Sequence, residues 1–278
     1  MADEIPVIPK AGTLVINSGN IVNWNRLKRK LSQTPTDEIS ECVSSTLQSF
    51  LASADKNELQ YVTDLNCVHQ KFKETIPSSE RGDFKLTVKI FLCSLQHVSP
   101  EAIKEAVERA LTELDVKFIE TALLAFPEIE NEDVTLEMIQ PFWKVLEGLV
   151  HRELVWSIGM ADLDKTLLEE LYEWADVKPV INQVNLDSCC VMPKDLVEYA
   201  KQKDIQLLTH NDPRTVFSSE TLQEVIRENS TEKDSGNWDA LWVLRYSVLI
   251  KDRGIIKAKG YLLKAEKDIK KRKCQMEA

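Results

Sequence analysis

Glycine is scarce in this sequence, with eight in 278 residues and no two separated by a single position. Neither G-x-G-x-x-G nor G-x-x-x-x-G-K can be written anywhere, which argues against a Rossmann dinucleotide fold and a P-loop enzyme. Long apolar runs are missing as well, and none approaches the ~20 residues that cross a bilayer. The opening Met1-Ala2-Asp3-Glu4-Ile5-Pro6 shows neither a basic n-region nor an apolar h-region, so a soluble, cytoplasmic protein with no membrane partner is expected. Positive charge is in deficit: 35 Lys and Arg stand against 45 Asp and Glu, a net charge of -10. A field of that sign repels polyanions and excludes nucleic acid as a main partner.

Ligand spacings are lacking too. The histidines at 69, 97, 151 and 210 form no H-x-x-x-H pattern, and the six cysteines at 42, 67, 93, 189, 190 and 274 form no C-x-x-C pair. No metal site is legible, and no disulfide scaffold is needed at this length. The thiols read as reduced, and the sequon Asn229-Ser230-Thr231 as unglycosylated. No G-x-S-x-G elbow marks a nucleophile.

What is present is a regular alternation. From Leu86 onward, β-type runs (86–92, 118–126, 155–158, 180–186, 205–209) alternate with amphipathic helical stretches (99–114, 136–153, 163–174, 193–202, 221–228). Ser99 is expected to cap the first of these helices, with Pro100 and Glu101 in its first turn. A further helix is expected near Trp238 to Leu249 and a last strand at Gly254-Ile255-Ile256. Strands joined by helical crossovers demand a parallel sheet, and at this length a closed (β/α)₈ barrel is its natural end point. Before residue 86, Leu14 to Val22 reads as a hairpin turning at Ser18-Gly19 and Asp37 to Leu51 as a helix, while residues 53–80 are polar and weakly patterned. The expected division is one domain over 1–263 and a basic, disordered tail over 264–278, where Lys264, Lys267, Lys270, Lys271, Arg272 and Lys273 gather.

The adjacent thiols Cys189 and Cys190 lie just past the run that begins at Val180. That end of a barrel strand is its functional face. Neighbouring cysteines bridge each other only under strain, so one is free to face outward as a partner or redox contact. Trp238 to Trp242 offers a second candidate for a partner surface, although tryptophans at such spacing more often belong to a core.

Three segments carry a family resemblance: Trp156 to Leu163, Val177 to Asn185 and Asp204 to Leu208, echoed later by Leu244 to Ser247 and Arg253 to Gly260. In order and spacing they resemble the second half of an aldo-keto reductase. The resemblance implies a (β/α)₈ barrel, NADP as cofactor, and a catalytic Tyr supported by Lys, Asp and His. Lys89 stands where the family's lysine would, but its histidine corresponds to Ala125, and Tyr61 and Asp64 are in the wrong order and context for its Tyr and Asp. The arginine that would clamp a 2′-phosphate is replaced by Ala265, leaving Lys259 and Lys264 as vestigial cofactor-binding candidates.

A closer resemblance covers nearly the whole chain, carried by Ser18 to Trp24, Asp162 to Lys165, Gln183 to Pro193, Leu207 to Pro213 and Arg253 to Tyr261. These strings resemble the modifier subunits of glutamate-cysteine ligase, which look like aldo-keto reductases stripped of the tetrad. That resemblance implies no catalytic residues, no cofactor beyond residual NADP affinity, and a heterodimer with the ligase catalytic subunit. It also implies improved glutamate use and relief of glutathione feedback inhibition. The alternative is a working NADP-dependent oxidoreductase with a rearranged acid.

Overall fold

The computed structural model describes residues 11–24, 34–55, 59, 61–129, 132–185, 191–230 and 235–267. Strands β1 (Thr13–Asn17), β2 (Asp64–Val68), β3 (Phe84–Leu92), β4 (Ile119–Ala125), β5 (Val155–Ala161), β6 (Ile181–Asn185), β7 (Gln206–His210), β8 (Trp238–Ile250) and β9 (Ile255–Lys267) form one sheet. Helices α1 (Pro35–Ser53), α2 (Glu101–Leu114), α3 (Leu136–His151), α4 (Lys165–Trp174), α5 (Lys194–Gln202) and α6 (Ser219–Asn229) pack against it. The strand order is β2-β1-β9-β8-β3-β4-β5-β6-β7.

From β3 to β7 the expected strand-helix succession holds, and each strand pairs in parallel with the next. Each helix offers one apolar stripe. Ile103, Val107 and Ala110 of α2, Trp143 and Leu146 of α3, Leu168 of α4 and Leu196 of α5 bury one face of the sheet together with Leu86, Val88 and Ile90 of β3. The opposite face is closed by Ile39, Val43 and Leu47 of α1, Phe217, and Leu222 and Ile226 of α6, packed on Phe91, Val243 and Leu263. Helix ends follow their sequence: Thr34 and Asp37 make a capping box before α1, and Asp164 and Ser218 cap α4 and α6. At α2 the expected Ser99 cap is replaced by Pro100 at that position, and Ser99 supplies only its carbonyl to the Ala102 N–H.

Three expectations change. The segment 238–250 is a strand, not a helix: β8 pairs antiparallel with both β3 and β9. The short last strand extends to thirteen residues, so Lys264 and Lys267 lie within β9 and the expected boundary at 264 falls inside the sheet; residues 268–278 lie outside the described residues. The hairpin at 14–22 does not form either. β1 ends at Asn17, a 3₁₀ turn follows at Ile21–Asn23, and β1 pairs with β2 in parallel and β9 in antiparallel fashion. The sheet therefore has nine strands, and among the described residues no hydrogen-bonded ladder joins β7 to β2.

Candidate functional site

Lys89 of β3 and Arg245 of β8 are directly opposed in the antiparallel register. Two cations so placed repel, and the pair is tolerable only with an anion between them. Asp212, in the loop after β7 and 1% exposed, is that anion. Its Oδ1 and Oδ2 accept the Arg245 fork at 2.6 and 2.9 Å, and Oδ2 also accepts Lys89 Nζ at 2.8 Å. The ring of Phe91 lies beneath both cations, 5.0 Å from Lys89 Nζ and 5.3 Å from the guanidinium carbon.

The network continues to β5. The Asp212 backbone N–H donates to His210 Nδ1 at 3.1 Å, which leaves Nε2–H to donate to Asp162 Oδ1 at 3.0 Å. Asp162 takes a left-handed backbone conformation (φ 60°) directly after β5, and its Oδ1 also accepts the Asn185 N–H at 2.8 Å. Asn185 Nδ2 in turn donates to the Asp212 carbonyl at 2.9 Å, so β5, β6 and the β7 loop are tied by side chains.

These contacts set the protonation states. Burial works against charge on Asp212, but the His210 ring 3.4 Å away, the hydrogen bonds of Arg245 and the charges of Arg245 and Lys89 hold its carboxyl far below the usual range. Burial pushes Lys89 down, opposed by Asp212. Burial also disfavours the His210 imidazolium, yet its bonds to Asp162 and Asp212 raise it above 6.5. Asp162 is lowered against its own burial by His210.

Tyr261 of β9 lies on the Arg245 side, and its hydroxyl donates to Glu38 Oε1 of α1 at 2.5 Å. Burial, together with the charge and hydrogen bond of Glu38, keeps this phenol well above its usual range despite Arg245. A phenol so raised is a poor proton donor at neutral pH. The residues set aside as unfit for the family's Tyr, Asp and His positions lie apart from Lys89 or offer it nothing: Tyr61 is 83% exposed, Asp64 begins β2 opposite Thr13, and Ala125 ends β4 with no polar group.

The cofactor candidates Lys259 and Lys264 do not converge. Lys259 Nζ is held at 2.5 Å by Glu38 on the α1 side of the sheet, whereas Lys264 Nζ bonds Glu105 of α2 at 2.8 Å on the other. Two cavities flank the network, of about 200 Å³ beside Asp162 and Arg214 and about 150 Å³ beside Arg245 and Lys259. Both fall below the ~300–1,000 Å³ of ordinary ligand pockets. Cys189 and Cys190 lie outside the described residues, and Cys42, Cys67 and Cys93 are free thiols. Asn229 of the sequon is buried, accepting from Ser44 and Gln48 of α1. Trp238 and Trp242, the other candidate for a partner surface, are buried on opposite faces of the sheet.

The family model for the aldo/keto reductase family matches residues 68–255. The glutamate-cysteine ligase regulatory subunit of Mus musculus is 41% identical over 94% of this chain and 95% of its own length, and that of Homo sapiens matches to the same extent. The chain belongs to the aldo/keto reductase family and, within it, to the glutamate-cysteine ligase regulatory subunits. Its α/β fold is of the family's (β/α)₈ barrel type. A solved aldose reductase from Giardia lamblia matches 63% of this chain and 54% of its own at 18% identity, with a TM-score of 0.36. Among the described residues no helix is long and apolar enough to cross a membrane.

Of the network, the sequence identifies only Lys89 by position. His210, Asp212 and Arg245 fall within the strings that carry the resemblance, where nothing assigns them a role. Their signal is the ionisable pair His210 and Asp212 beside Pro213, at the end of an apolar strand where a core residue would otherwise stand.

Proposed function

We propose that this protein is a non-catalytic regulatory subunit that binds the catalytic subunit of glutamate-cysteine ligase as a heterodimer in the cytoplasm. In that complex it improves the use of glutamate and relieves feedback inhibition by glutathione. The observation that carries this reading is the 41% identity with regulatory subunits along 94% of the chain and 95% of the relatives. Partial overlap would support only a shared domain, whereas matching at full length supports a shared assembly role.

The site geometry agrees with a barrel that does no hydride chemistry. Lys89 is committed to Asp212, Ala125 occupies the histidine position, and the buried phenol on the Arg245 side is held in its neutral form by Glu38. A carbonyl accepting hydride needs a donor of matched pKa beside it, and this arrangement supplies none. Lys259 and Lys264 sit on opposite faces, each neutralised by a carboxylate. We accordingly infer that no dinucleotide takes part in the function.

The deciding experiment is copurification with the ligase catalytic subunit, followed by ligase assay at limiting glutamate with and without glutathione. A stoichiometric complex with raised activity is expected. Absence of a complex, or NADPH oxidation over a panel of carbonyls, would overturn the reading.

A further inference from the structure

The nine-stranded sheet ends in two edges, β2 and β7. An edge strand offers a row of unpaired N–H and C=O groups, and proteins guard it with charge, proline, a bulge or a covering element. β2 is guarded: the exposed Asp64 and Asn66 stand on it, Arg109 of α2 donates to Asn66, and its Leu65 and Cys67 share a buried cluster with Ile39 and Val43 of α1. β7 has no such guard. Gln206-Leu207-Leu208-Thr209-His210 contains no lysine, arginine, carboxylate or proline, and its register against β6 runs without a bulge. Gln206 and Thr209 are exposed, and Leu207 and Leu208 are only half-buried.

The Gln206 N–H donates to the Val180 carbonyl at 2.9 Å, which turns the backbone groups of Gln206, Leu208 and His210 toward β6. Alternation then turns the N–H and C=O of Leu207 and Thr209 outward, and among the described residues none of these groups has a partner. The layer above the edge is open as well. Tyr199 of α5 meets Tyr172 of α4 edge-on at 6.4 Å, so α4 lies on that side of the helix. Val197 stands about 160° round α5 from Tyr199, on the flank away from α4, and is 42% exposed.

We propose that a second copy of this chain occupies the edge, the two β7 strands pairing antiparallel about a twofold axis at Leu208 so that two sheets become one. The strand that fits is β7 itself. In that register Leu207 of each copy lies opposite Thr209 of the other and the two exchange both N–H···O=C bonds, while Leu208 faces its own counterpart. Every outward group finds a match, and Leu207 and Val197 of both copies come together on the helical face of the joined sheet. No like charges meet along the strands: Gln206 faces His210, whose ring is already turned to Asp162. The net charge of -10 on each copy opposes the approach, so salt should tighten the pairing. The proposal concerns the free chain and does not rest on the regulatory reading.

The test is sedimentation of the full chain alone across a range of concentrations, with amide hydrogen exchange read at β7. A monomer–dimer equilibrium is expected, in which the Leu207 and Thr209 amides are protected in the dimer and released on dilution while the inward Leu208 amide is unaffected. Thr209→Lys guards the edge with a charge, and Thr209→Pro removes an outward N–H without touching the β6 ladder; each should raise the dimer Kd by about tenfold or more. Thr112→Lys, exposed on α2, should leave it unchanged. Both lysine variants reduce the net negative charge alike, so a loss confined to Thr209→Lys comes from the edge. Should Thr209→Pro fail to fold, the lysine variant with the melting curve of the parent decides alone. A chain that stays monomeric overturns the proposal, as does a dimer whose Leu207 and Thr209 amides exchange at one rate at every concentration. Equal weakening by both lysine variants, or a dimer loosened by salt, overturns it as well. Protection of these amides only in a complex with the ligase catalytic subunit assigns the edge to that subunit and has the same consequence. None of these results decides whether the ligase is bound and activated, so the regulatory reading stands or falls by its own assay.

Discussion

Asp212 holds the buried Lys89 and the partly buried Arg245, which would otherwise face each other across β3 and β8, so its removal and that of a cation should differ sharply. Asp212→Ala leaves Lys89 and Arg245 desolvated and opposed, and should cost about 3–5 kcal/mol in urea unfolding. Lys89→Met leaves the Arg245 fork on Asp212 intact and removes a buried amine, and should cost far less. Equal losses would mean that the three charges are not coupled as the distances imply. The same residues shape the pH dependence. Asp212 and Asp162 have depressed folded pKa values, so their contribution is present above the ordinary carboxylate value of 3.8 and is lost as pH falls through the folded values. His210 is raised, so its contribution is complete below 6.5 and is lost as pH rises through its folded value. Stability should therefore decline on the alkaline side of 6.5, and His210→Gln should flatten that decline and weaken the acid limb, of which Arg245 and Lys89 preserve the Asp212 part. Denaturant titrations of both proteins from acid to alkaline pH would show it.

At the scale of elements, the tightest constraint joins β9 to the turn after β1. A Cβ added at Gly260 would lie 2.2 Å from the Gly19 carbonyl oxygen and 2.4 Å from Tyr246 Oη, and Gly19 itself has φ 65° with its backbone against Phe72. Gly260→Ala should lower stability by about 1–3 kcal/mol, read as a shifted urea midpoint with an unchanged slope. Such an approach between residues so distant in sequence cannot be seen in local pattern, which is also why Ser18-Gly19 reads as a hairpin. The glycine does turn the chain, but the antiparallel partner of β1 is the distant β9. The units from β3 to β7 are legible because each helix carries one apolar stripe and each strand an unbroken β-type run. Trp238 to Ile250 misleads for a physical reason. Its Trp238 and Val243 face α1 and α6 while Leu244 and Val248 face the other layer, so burial on both faces removes the period that separates strand from helix. Lys89 is legible from its position, yet its partners are not, because Asp212 and Arg245 meet it only once β7 and β8 have been placed.

For the whole molecule, a regulatory role has a thermodynamic consequence that needs no knowledge of the interface. If binding of this subunit weakens the hold of glutathione on the catalytic subunit by some factor, glutathione must weaken the hold of this subunit by the same factor. Couplings of this kind are typically ~5–150-fold. Two independent titrations should therefore agree: glutathione binding to the catalytic subunit with and without this protein, and heterodimer dissociation with and without glutathione. If this subunit favours the use of glutamate, glutamate should shift heterodimer affinity in the opposite direction. Such shifts require that the partner contact this surface differently in its active and inhibited states, because a contact equal in both moves nothing. An equal factor above one in both titrations would place the relief of inhibition in glutathione binding, whereas a factor of one in both would show that it acts on turnover.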